Sequence, residues 1–184
     1  MTTRKSANPT WIDVKAKLAD FDRTGLIGLV QRLYAASKDN KDFVHARFGL
    51  GSDVLEPYKA IIARWAAPDV YKNQMYSVAK AKKPIADYRK AAGQAEGIAE
   101  LTVFYCEQAI AFSNEVRLDD GGYYDALGRM FELALKTAMT LPEAQREFFI
   151  DRLEDVRRTG EGIGWGVEDD LNELWRRAGL QIEQ

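Results

Sequence analysis

Apolar residues return every three or four positions along most of this chain, and nowhere do they alternate with period two for long enough to argue a strand. The clearest case is the stretch 96–116. Ile98, Leu101, Tyr105, Ala109, Phe112 and Val116 form one row, and Ala99, Val103, Cys106, Ile110 and Ser113 form the next. Apolar residues over most of a helix's circumference place it among neighbours, so this helix is expected at the centre of the domain. Before it, Thr10 with Asp13 starts a first helix whose face is Trp11, Val14, Leu18 and Phe21. The short break 22–25 predicts a second helix, carrying Leu26, Leu29, Val30, Leu33 and Tyr34, folded back antiparallel to the first. A third runs from about Asp39 to Arg47, with Phe43, Ala46 and Phe48 inward. Ser52 caps a fourth with Val54, Tyr58, Ile61 and Trp65 on its face. Ser77 caps a basic fifth helix that Pro84 is expected to kink or break and Gly93 to stop.

After the central helix, Asp119 to Gly122 read as a turn. The next helix shows Tyr123, Leu127, Met130, Ala134 and Ala138 on one side, with the acid-first pairs Asp125/Arg129 and Glu132/Lys136 on the other. Thr140-Leu141-Pro142-Glu143 is a capping signal for a helix with Phe149, Leu153 and Val156 inward. The last helix has Val167, Leu171, Leu174, Trp175 and Ala178 inward, acids in its first turn and Gly179 as its stop. The fold class is therefore all-α: about nine helices as stacked antiparallel hairpins, in an irregular superhelical array. The chain is read as one domain, 1–184, with a polar tail over 1–9.

The polar exceptions on the central helix are its candidate chemistry. Glu100, Glu107 and Asn114 follow at seven-residue steps and so fall nearly in line on one side, with Glu96 a turn earlier. A carboxylate facing the interior must find cations or donors, or stay protonated. Either the two glutamates tie the array together through neighbouring lysines and arginines, with Lys80, Lys83, Arg89 and Lys90 of the preceding helix as partners, or they line a pocket. The first reading is the preferred one.

Subtraction narrows the chemistry. His45 is the only histidine and Cys106 the only cysteine, which leaves no Glu-x-x-His pair, no HExxH site and no disulfide within the chain. No catalytic residue, metal ligand or cofactor is assigned, although a carboxylate-only magnesium site drawing Glu100 and Glu107 together with Asp119 or Asp120 remains open to the residue types. The glycine stretch 160–166 lacks a Lys-Ser/Thr ending, follows a helix and precedes Glu168, Asp169 and Asp170. It is expected to be a tight turn with Trp165 packed on the core rather than a phosphate cradle. No apolar run of about 18 residues predicts a membrane span, and 1–9 is not followed by the apolar stretch of a secretory signal. A lone cysteine among apolar residues fits a reducing cytoplasm.

Tyr105-Cys106-Glu107-Gln108, Phe112-Ser113-Asn114-Glu115, Tyr123 and Tyr124 with Met130-Phe131-Glu132, and above all Ile163-Gly164-Trp165-Gly166-Val167 resemble an uncharacterised family of bacterial helical proteins, a domain of unknown function. The resemblance covers about 80–174, with the N-terminal helices similar more loosely. It implies an all-helical bacterial domain and supplies no activity, cofactor or catalytic residue. Tyr124, Leu127, Gly128 and Phe131 also resemble the first half of a tetratricopeptide motif, which favours stacked hairpins over a four-helix bundle.

Charge changes the functional picture most. Residues 1–92 hold 17 Lys and Arg against 9 Asp and Glu, whereas 93–184 hold 9 against 19, so a basic half, 10–92, precedes an acidic half, 93–184. Lys72, Lys80, Lys82, Lys83, Arg89 and Lys90, interleaved with Tyr71, Tyr76 and Tyr88, have the composition of a phosphate-contacting surface. The sequence pI of about 5.6 argues against general nucleic-acid coating. The preferred expectation is an interaction or scaffold module that binds a protein partner or itself, head to tail through its opposite charges. A nucleic-acid-associated protein using the basic stretch is second, and an enzyme or ligand-binding protein with a Glu100/Glu107 pocket is third. The chain is more readily read as a non-enzyme.

Overall fold

The computed structural model describes residues 8–182, so residues 1–7 of the expected tail lie outside the described residues. Every regular element among those described is helical: nine α-helices and one 3-10 turn, Val70–Lys72. No described helix is long and apolar enough to cross a membrane. The chain divides into two compact units, Met1–Val44 and His45–Gln184.

In the first unit, α1 (Trp11–Leu18) begins where the capping signal places it. The Thr10 backbone N–H and hydroxyl both donate to Asp13 Oδ2, at 2.7 and 2.8 Å. Asp22 caps α2 (Arg23–Ala36) by accepting from the Gly25 N–H at 2.7 Å, so this helix starts within the stretch expected as a break. Ser37 accepts from the Asn40 N–H at the start of α3 (Lys38–Phe48), and the unit boundary falls inside that helix. Two expectations fail. α1 and α2 are not packed side by side, and neither buries a side chain. The inward face Trp11, Val14, Leu18 and Phe21 is therefore not formed, because a two-turn helix needs its neighbour laid along it to cover that face and the connection does not return α2 there. Ala46 of α3 is buried, but Phe43 and Phe48 are exposed.

The second unit holds the core. Its elements are α4 (Glu56–Ala66), α5 (Val78–Ala91), α6 (Ala95–Val116), α7 (Gly121–Ala138), α8 (Glu143–Thr159) and α9 (Val167–Arg177). α6 packs against α4, α5, α7 and α8 and buries residues all round, as its pattern requires. Each helix from α4 onward meets the next in sequence, and α4 meets α6, α6 meets α8 and α7 meets α9. Lengths running from 11 to 22 residues leave no repeating unit.

Local signals decide the ends. α4 is started by Asp53, not Ser52: its Oδ1 accepts from the Leu55 and Glu56 N–H groups. The buried face is accordingly Tyr58, Ile62 and Ala66, with Ile61 turned outward. α5 runs through Pro84 without interruption, and Gly93, at φ +68, ends it. Asp120 accepts from Gly122 and Tyr123 at the start of α7, whose apolar face is buried as expected. Thr140 does not cap α8, because its hydroxyl donates back to the Thr137 carbonyl and Pro142 occupies the cap position. The glycine stretch is the turn between α8 and α9, but Trp165 is 62% exposed. Its indole N–H donates to Asp119 at 2.9 Å, and its ring lies against Gly121, where a Cβ would come within 3.0 Å of it.

Candidate functional site

Glu100 and Glu107 stand two turns apart on α6, and both face α8. Arg152 lies between Phe149 and Val156 on the inward side of α8, which aims its guanidinium at the two carboxylates. Its Nε and Nη2 form a bidentate pair with Glu107, at 2.7 and 2.9 Å. Its Nη1 donates to Glu100 Oε2, and Lys59 of α4 reaches Glu100 Oε1 at 2.7 Å. Two carboxylates and two cations thus join α4, α6 and α8 in a neutral network. Its side chains retain between 16% and 32% of their exposure, which places it beneath the surface but not in the deep core.

The electrostatics follow from that depth. Burial by itself would raise the Glu100 pKa, but the hydrogen bonds from Arg152 and Lys59 outweigh it and hold the carboxyl below its ordinary 4.5. Burial likewise opposes the Arg152 charge, and the bonds to Glu107 and Glu100 overcome it, so the guanidinium is more firmly protonated than in water. The partners differ from those expected. Lys80, Lys83, Arg89 and Lys90 of α5 do not meet the stripe, because α5 buries Ala81, Pro84, Ile85, Tyr88 and Ala91 and turns those four side chains to solvent. Asn114 does not join it either: its amide donates to the Thr159 carbonyl at 2.9 Å, tying α6 to the end of α8.

The basic stretch is dispersed rather than gathered. Lys72 pairs with Asp69 at 2.9 Å, Lys83 pairs with Asp87, and the Lys80 ammonium sits 3.9 Å from the Trp65 ring centroid. Lys82, Arg89 and Lys90 have no ion partner among the described residues. Of the interleaved tyrosines, Tyr71 alone is exposed. Tyr76 donates to Asp120 at 2.6 Å, and Tyr88 is buried against Tyr58, so no row of open rings accompanies the lysines. Asp120 is occupied by Tyr76 and by capping α7, and among the described residues no three His, Cys, Asp or Glu side chains are grouped as metal ligands would be. Cys106 is fully buried, and burial pushes its thiol far up, followed by the Glu107 charge.

Two arginines were missed from the sequence. Arg152 and Arg157 both fall at helical spacing on the buried side of α8, and a charge at an inward position was the available signal. Arg157 donates to Asn172 Oδ1 at 2.8 Å and lies over Trp175, joining α8 to α9. Beside the network, at its Glu100 end, opens a cleft of about 490 Å³ lined by the starts of α6 and α8, the end of α5 and the residues leading into α4. No family model matches the chain, and no curated protein and no solved structure matches it either.

Proposed function

We propose that this protein is a helical interaction module that associates with further copies of itself through its N-terminal helices. The observation behind this reading is the first unit. α1 and α2 bury nothing, and nine large apolar side chains over residues 11–43 stand exposed, among them Trp11 at 67% and Ile12 at 78%. Weighted by their exposures, these side chains offer on the order of 1,000 Å² of surface, more than a monomer ordinarily leaves in one region and comparable to one partner's share of a stable interface.

Charge argues for a second copy as the occupant. Residues 8–44 carry six Lys and Arg and five Asp and Glu, so this surface can meet itself without net repulsion, as a two-fold contact requires. An anionic lipid surface would call for an excess of cations that the segment lacks. The opposite charges of residues 1–92 and 93–184 add a second, salt-sensitive attraction between copies.

Light scattering at tens of micromolar protein tests the reading. A dimer or larger species is expected at both low and high ionic strength, since apolar contacts survive screening, with a fraction lost to salt where charge contributes. Ile27→Asp with Val30→Asp should give a monomer of unchanged far-ultraviolet circular dichroism. A wild-type monomer at both ionic strengths would mean that the apolar helices are covered within one chain, and would end the proposal.

A further inference from the structure

The cleft at the start of α6 brings a tyrosine and a carboxylate side chain to one apolar wall. Tyr88 is 1% exposed as a whole, but its hydroxyl is not among the enclosed polar atoms that lack a partner, which among the described residues are the Tyr105 hydroxyl and Arg157 Nε; it lines the cleft. It lies across Gly97, whose missing Cβ would come within 2.2 Å of the oxygen, so the glycine makes room for the phenol at the cleft wall. Next to it, Glu96 is exposed and has no ion partner among the described residues, in contrast to Glu100, whose charge is matched by Lys59 and Arg152. The remaining wall is apolar and aromatic, with Leu55, Phe148 and Phe149.

We propose that this cleft binds a small primary ammonium ion carrying an aromatic or compact apolar body, with Glu96 receiving the charge, the Tyr88 hydroxyl oxygen accepting an N–H, and Phe148 and Phe149 holding the body. A volume of about 490 Å³ suits such a ligand, and a few convergent polar groups in an apolar cleft are the usual form of such sites. The cation is chosen by the charges. Glu96 and Glu143 already sit in the first turns of α6 and α8 and answer the positive ends of those helices, while the Arg152 and Lys59 charges are spent on Glu100 and Glu107. Aromatic faces add to the attraction of an ammonium group. Burial, and after it the Glu96 charge, raises the Tyr88 pKa, which keeps the phenol neutral beside the ammonium.

Phenethylammonium is the probe, with phenethyl alcohol and phenylpropionate as neutral and anionic counterparts of the same shape. Titration calorimetry of the whole chain should show saturable, submillimolar binding of the ammonium ion and little of the others. Glu96→Gln should weaken it by about tenfold, the loss of one charge-assisted contact. Tyr88→Phe keeps the ring over Gly97 and should weaken it severalfold. Ala144→Trp, at an exposed position on the cleft rim, should block it without disturbing the fold. Absence of saturation with phenethylammonium, equal binding of the alcohol or the carboxylate, or unchanged affinity in both Glu96→Gln and Tyr88→Phe would overturn the proposal. Because the cleft lies wholly within residues 45–184, these outcomes are independent of self-association through residues 8–44.

Discussion

Replacing Arg152 by Met removes the shared partner of two carboxylates while keeping most of the side chain's apolar stem. Glu100 retains Lys59, but Glu107 loses both of its hydrogen bonds to the guanidinium. Breaking a fully buried pair costs about 3–5 kcal/mol, and an exposed pair contributes no more than about 1. With the network side chains 16–32% exposed, an intermediate loss of about 2 kcal/mol is expected. In a chain of this size that corresponds to a fall in Tm of about 4–8 °C. Urea denaturation followed by circular dichroism reads it directly. Glu107→Gln should cost less than Arg152→Met, because the amide still accepts from Nε, yet more than Glu96→Gln, which disturbs no ion pair. A double-mutant cycle between Arg152→Met and Glu107→Gln should return a coupling of about 1 kcal/mol or more. An Arg152→Met protein of unchanged or higher stability would refute the structural role: the charges would then be held there at an energetic cost, as in a site kept for function.

Three further outcomes follow from the same geometry. Glu100 has a folded-state pKa below its unfolded value, so its contribution is complete above the ordinary 4.5 and is lost as pH falls through the folded value; the urea midpoint should drop below about pH 4.5, with a shallower acid limb in Glu100→Gln, and an identical limb in both proteins would contradict this. Gly97→Ala places a methyl group on the Tyr88 phenol, which Tyr58 backs at 5.5 Å, and should cost about 1–3 kcal/mol of stability by overpacking; a neutral effect would show that the ring has room to move. At physiological salt the wild type should bind neither DNA nor RNA with submicromolar affinity, because the lysines of the basic stretch lack an accompanying row of open aromatic rings; such affinity, if lost when Lys80, Lys82 and Lys83 become Glu, would establish the nucleic-acid reading instead.

Helix existence and type were legible from periodicity alone, because a 3.6-residue repeat of apolar positions is a property of local sequence. So was the central place of α6, since a helix that is apolar nearly all round must be surrounded. Short-range polar signals also carried through: Thr10 with Asp13, Ser77 and the i,i+4 pairs on α7 all act within one turn of where they are written. Partner choice was different. The sequence placed Glu100 and Glu107 on one side of a helix, but only the packing of α4 and α8 against that side selected Lys59 and Arg152 over the denser basic residues of α5. Proximity in sequence favoured α5, and its amphipathic rotation had already turned those lysines to water. The open faces of α1 and α2 were equally beyond a pattern reading, because an apolar stripe states that a helix needs cover and is silent on whether the same chain supplies it. The approach of the Tyr88 hydroxyl to Gly97 depends on a contact between two helices to within an ångström or so, a distance that no spacing along one chain encodes.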